Sequence, residues 1–108
     1  MLTIVLMSTL LLGSTELEPA VDQPAATRLA LELAENWGTR VQSLSLLFEE
    51  INTHNQEAIE AAVVQTKLFE LSPSAPHRLT IRRIDTSSVL VVLSEAASAS
   101  RLWVSQLS

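Results

Sequence analysis

The chain has no cysteine, no tyrosine and only two glycines among its 108 residues, and each shortage removes a chemistry. Without thiols there is no disulfide, no cysteine nucleophile, no thiolate zinc site and no cysteine-bound iron–sulfur cluster. Phosphate-cradling loops need several glycines so that backbone N–H groups can close on the anion, and two glycines cannot build one. Positive charge is also short: seven Lys and Arg stand against twelve Asp and Glu, a formal net charge of -5. A field of that sign repels phosphate backbones and anionic lipid surfaces, so neither nucleic acid nor a membrane is an expected partner. One core and a single domain over residues 1–108 suit this length.

What the chain does have begins with an apolar run, LTIVLMSTLLLG, from Leu2 to Gly13. A secretory signal carries a cationic n-region and a small-residue cleavage site, yet the first cation is Arg28 and no A-x-A-like triplet follows closely after Leu12. A spanning helix needs about 20 apolar residues, and Glu16 and Glu18 follow too soon. Neither alternate set, Leu2, Ile4, Leu6 or Thr3, Val5, Met7, is polar, so the run reads as a strand covered on both faces, as central parallel strands are. A cytoplasmic protein is the resulting expectation.

The rest of the chain alternates in period. Asp22 as N-cap, Pro24 in the first turn, a Leu29, Leu33, Trp37 stripe and Gly38 at the end predict a helix. Leu44, Leu46 and Phe48 alternate with Ser43 and Ser45, which predicts a strand with one exposed face at a sheet edge. Thr53 and Gln56 in capping-box spacing open a second helix through Ile59, Ala62, Val63, Thr66 and Phe69, closed by Ser72 and Pro73. Two strand-like runs flank the turn formers Asp85 to Ser88. The first alternates Leu79 and Ile81 with Arg78, Thr80 and Arg82, an edge pattern, whereas Val89 to Leu93 is apolar throughout. The Ala-rich end, with Leu102, Trp103 and Leu107, predicts a short terminal helix.

The expected fold is therefore α/β, a four-stranded mixed sheet with element order βαβαββα. Placing the two wholly apolar strands side by side gives the sheet order 2-1-4-3. This element order resembles that of thioredoxin-like domains over the whole chain. The resemblance implies no redox activity, because the Cys-x-x-Cys pair is missing, and the arginine-bearing strand, interior in that family, reads here as an edge.

Ligands of open α/β sheets bind beyond the carboxyl ends of the strands, where Glu16, Glu49, Glu50 and His54 are brought near one another and form a candidate divalent-cation site. The same acids also suit helix N-termini as solvated dipole partners. Arg78, Arg82 and Arg83 are candidates for gripping an anion or an acidic partner, and equally for guarding a sheet edge. Trp103 and Leu107 are candidate interface residues, or closers of the core. No Gly-x-Ser-x-Gly elbow or paired histidine marks a catalytic residue, and no cofactor is expected. The reading is a small non-enzymatic interaction or scaffold domain, with a protein partner or a homo-oligomer, and a ligand- or cation-binding protein as the alternative.

Overall fold

The computed structural model describes residues 23–107, in the order α1 (Gln23–Trp37), β1 (Ser43–Glu49), α2 (Thr53–Gln65), β2 (Glu70–Leu71), β3 (His77–Arg83), β4 (Val89–Glu95) and β5 (Arg101–Leu107). The expected strand at Leu2 to Thr9, the N-cap Asp22 and Glu16 lie outside these residues.

Helix α1 buries Ala25, Ala26, Leu29, Ala30 and Leu33, a stripe at helical spacing that faces the sheet. At its end the Gly38 N–H donates to the Ala34 carbonyl at 2.9 Å. A Cβ on Gly38 would lie 2.5 Å from that oxygen, so close approach requires glycine there. Helix α2 is capped one residue earlier than the capping-box spacing predicts: Asn52 accepts from the Asn55 N–H at 2.8 Å. It also ends earlier, at Gln65. The Thr66 hydroxyl donates back to the Val63 carbonyl at 2.7 Å, and Lys67 turns the chain with φ 60. Phe69 therefore enters the core from beyond the helix, and β2 follows where helix was expected.

The five strands form one sheet in the order β2-β1-β3-β4-β5. β1 runs parallel to both β2 and β3, and β3-β4-β5 is an antiparallel meander. Alternation assigns the faces. Leu44 of β1, Leu79 and Ile81 of β3, and Val89, Val91 and Leu93 of β4 are all buried. They pack with Leu29, Leu33, Ile59 and Val63 of the helices into one core. At about 1.5–3 kcal/mol for each large aliphatic side chain taken from water, this layer carries the stability. Both helices lie on the one side, and the opposite side has no helix among the described residues.

The α/β class and the mixed sheet hold, and the finer architecture differs from the sequence expectation. Among the described residues the sheet has five strands, where four were expected for the whole chain, and their order β2-β1-β3-β4-β5 differs from 2-1-4-3. β3 is interior, hydrogen-bonded to β1 on one side and β4 on the other; its arginines signalled an uncovered face rather than an edge. β1 is likewise not an edge, because Glu70 and Leu71 pair beside Ser43 and Leu44. The terminal helix is a strand, β5. Trp103, Ser105 and Leu107 alternate with Leu102, Val104 and Gln106, a period-two pattern that the Ala-rich lead-in obscured. Residues 96–100 form a tight connection, closed by Ala99 N–H to the Glu95 carbonyl at 2.8 Å, with Ala99 at φ 61. The helix implied by the thioredoxin-like resemblance is thus absent from this end of the chain. The Asp85 to Ser88 turn is where the sequence places it.

Candidate functional site

Residues of β1, β3, β4 and β5 that point away from the helices meet in three cross-strand rows. The middle row is Leu47, Thr80, Val92 and Val104; one flank is Glu49, Arg82, Leu90 and Gln106, and the other is Ser45, Arg78, Ser94 and Arg101. Leu47 and Val104 are 41% and 48% exposed. A shallow depression of about 220 Å³ lies over Leu47, Glu49, Thr80, Arg82, Leu90, Val92 and Arg101. The result is an apolar strip across the sheet with guanidinium groups on both sides of it.

The local sequence explains the mixture. In β3 the outward positions are Arg78, Thr80 and Arg82, while Leu79 and Ile81 turn inward. In β4 the outward positions are Leu90 and Val92, both half-buried. Arg82 lies beside Glu49 across the β1–β3 register, Nε to Oε1 at 3.9 Å, with both side chains well exposed. An ion pair in that setting contributes little to stability. By register Glu70 joins the same face at its short edge, so the arginines Arg78, Arg82 and Arg101 outnumber the carboxylates Glu49 and Glu70 on a chain whose net charge is -5. Beside Arg78 the Ser45 hydroxyl is shielded from solvent without a hydrogen-bond partner among the described residues.

The sequence candidates divide between the two sides of the sheet. Arg78 and Arg82 share the open face, while Arg83 stands opposite Val89 in the register of the helix side. Glu49, chosen as a cation ligand, meets Arg82, chosen as an anion contact. Glu50, with φ 59, and His54, in the first turn of α2, are exposed, and the described residues contain no group of three or more His, Asp or Glu side chains able to hold a metal ion. Trp103 is half-buried against the core and Leu107 is buried within it, both on the helix side of β5. Sequence reading missed Leu47, Val92, Arg101 and Val104. Leu47 was detectable as the one apolar residue on the Ser43, Ser45 side of β1.

Away from this face, the β3–β4 turn is organised by Asp85. Its Oδ1 accepts from the Ser87 N–H at 2.8 Å, the Ser87 hydroxyl at 3.1 Å and the Ser88 hydroxyl at 2.9 Å. The Ser87 backbone bond foremost, with the serine hydroxyls, holds this carboxyl below its usual pKa. Among the described residues no helix is long and apolar enough to cross a membrane. Comparisons of the chain with protein-family models, with curated proteins and with solved structures gave no match.

Proposed function

We propose that this chain is a protein–protein interaction domain that receives an extended, acidic and apolar segment of a partner on the open face of its sheet. The observation that carries the reading is the pairing of an apolar row, exposed Leu47 and Val104 with half-buried Val92 between them, with flanking Arg78, Arg82 and Arg101. Exposed apolar patches rimmed by polar groups mark binding surfaces on soluble domains. Arginine at such a rim adds bidentate contacts to carboxylates and cation–π reach, and it is enriched at interfaces. A second copy of the same face is a poor occupant, because its arginines outnumber its carboxylates too and like charge opposes stacking. A nucleic acid has no stacking platform here, since no aromatic residue lies in the three rows.

The test uses two synthetic peptides of about eight residues, a strand's length, one alternating glutamate with leucine and the other lysine with leucine. Titration calorimetry on the full chain should show binding of the glutamate peptide alone, weakening as salt is raised. The pair of changes Arg78→Glu and Arg82→Glu should weaken it by about tenfold or more. Equal binding of both peptides, or affinity indifferent to the two charge reversals, would refute the reading.

A further inference from the structure

The two edges of the sheet are unlike. On one side β2 is only two residues long, a blunt edge that offers almost no backbone for pairing. On the other, β5 runs for seven residues, carries no charge from Leu102 to Leu107 and contains no proline. No strand among the described residues pairs with its outer side, and its Leu102 and Val104 are exposed. Natural sheets guard such edges with lysine, proline or a bulge, or else cover them; the irregularity between Leu93 and Ser94 lies at the opening of the β4–β5 ladder and leaves Trp103 to Leu107 in regular register.

The side chains of β5 say what suits that edge. A two-fold axis perpendicular to the sheet at Val104, the midpoint of Arg101–Leu107, sets two β5 strands antiparallel with all seven residues overlapping, the self-matched contact of a symmetric dimer. Val104 then stands opposite Val104 of the second copy, Trp103 opposite its Ser105 and Leu102 opposite its Gln106. Arg101, the strand's one charge, stands opposite Leu107, so no like charges meet, the arrangement that cross-strand pairing requires. Each pair also joins residues of the same face: Trp103 and Ser105 lie on the helix side, Val104 on the open one. The apolar row Leu47, Thr80, Val92, Val104 therefore runs straight on into the same row of the second copy in reverse order. An unrelated charged segment finds no opposite charge along this edge to select it.

We infer that the outer edge of β5 pairs with the same edge of a second copy of this chain, antiparallel about Val104, joining two five-stranded sheets into one. Main-chain hydrogen bonds supply the contact, as in other strand additions at sheet edges, and the exposed side chains of Leu102 and Val104 gain apolar neighbours across the junction. The helices of both copies stay on one side of the joined sheet, and the open faces become a single continuous surface. The dimer uses the strand edge and not the open face, so either assignment can fail without the other.

Sedimentation equilibrium of the full chain from micromolar to millimolar concentration should show a monomer and a dimer related by mass action. Val104 is exposed, so a charge there leaves the fold intact, and the two-fold places that charge against itself. Val104→Glu and Val104→Lys should each raise the dissociation constant about tenfold or more, and mixing the two variants should restore a dimer containing one of each. In the unaltered chain the β5 amides that point away from β4 should exchange with solvent more slowly as concentration rises. Four results would overturn the inference: a monomer throughout, a dimer indifferent to both charges, charged variants that stay monomeric when mixed, or a dimer whose outward β5 amides exchange as fast as those of the monomer, which would place the contact elsewhere on the molecule.

Discussion

The two faces of one sheet are built from alternate residues of the same strands and have opposite characters. Toward the helices, β3 and β4 present Leu79, Ile81, Val91 and Leu93, each fully shielded from water. One residue away, the same backbone presents Arg78, Thr80, Arg82, Leu90 and Val92 to the outside. The helix side is closed chiefly by dispersion and the hydrophobic effect, with close packing that leaves no choice of partner. The other side mixes exposed aliphatic surface with guanidinium groups, a combination that adds little to folding and suits association. Stability and recognition are thus separated by a single step along each strand.

The largest expected effect breaks this division from the covered side. Leu79→Ala, at a site with no exposed surface, should cost about 2–5 kcal/mol through lost transfer energy and a cavity. Leu47→Ala on the open face should cost less than about 1 kcal/mol, because that side chain is 41% exposed already. Chemical denaturation compares the two, and equal costs would mean that the open face is packed as tightly as the covered one.

A smaller effect sharpens the comparison at Ser45, whose hydroxyl is buried on the open-face register with no hydrogen-bond partner among the described residues. Leaving such a group unpaired costs about 1–3 kcal/mol, so Ser45→Ala should leave stability unchanged or raise it by about 1 kcal/mol. A clear loss on urea denaturation would place a hydrogen bond at this hydroxyl.

The smallest effect is at the turn that keeps β3 and β4 in register. The Asp85 carboxyl has a folded-state pKa lowered from 3.8 by its hydrogen bonds to Ser87 and Ser88. Its contribution to stability is therefore present above about pH 4 and is lost as pH falls through the lowered value. Asp85→Ala should lower the thermal midpoint at neutral pH, and the difference from the unaltered chain should shrink under acid. A difference that persists undiminished at low pH would show that the turn depends on something other than the ionised carboxylate.

The pattern of what could be read from sequence follows from the same division. Elements with a strong single period were legible: the α1 stripe of Leu29 and Leu33, the alternation of Leu44, Leu46 and Phe48, and the Asp85 to Ser88 turn. Strand order was not, because arginine at alternate positions of β3 reports an uncovered face and carries no information about neighbours on either side. β5 was hidden by its alanine-rich approach, whose helix propensity concerns residues 96–100 and not the alternating Leu102 to Leu107. β2, two residues long, is set by the left-handed turn at Lys67 and by the unfilled side of β1, neither of which leaves a periodic trace. Of the open face, Arg78 and Arg82 could be picked out by charge; the apolar row could not, since Leu47, Val92 and Val104 come together only once the register of four strands is known.

That the open face is the surface of recognition is tested most directly by amide-resolved NMR of the full chain during titration with the glutamate–leucine peptide. The account predicts shift changes centred on Leu47, Thr80, Val92 and Val104, extending to Arg78 and Arg82, with Leu29, Leu33 and Ile59 of the helix layer unmoved. Shift changes centred on α1 and α2, with the outward residues of β3 and β4 unaffected, would contradict it.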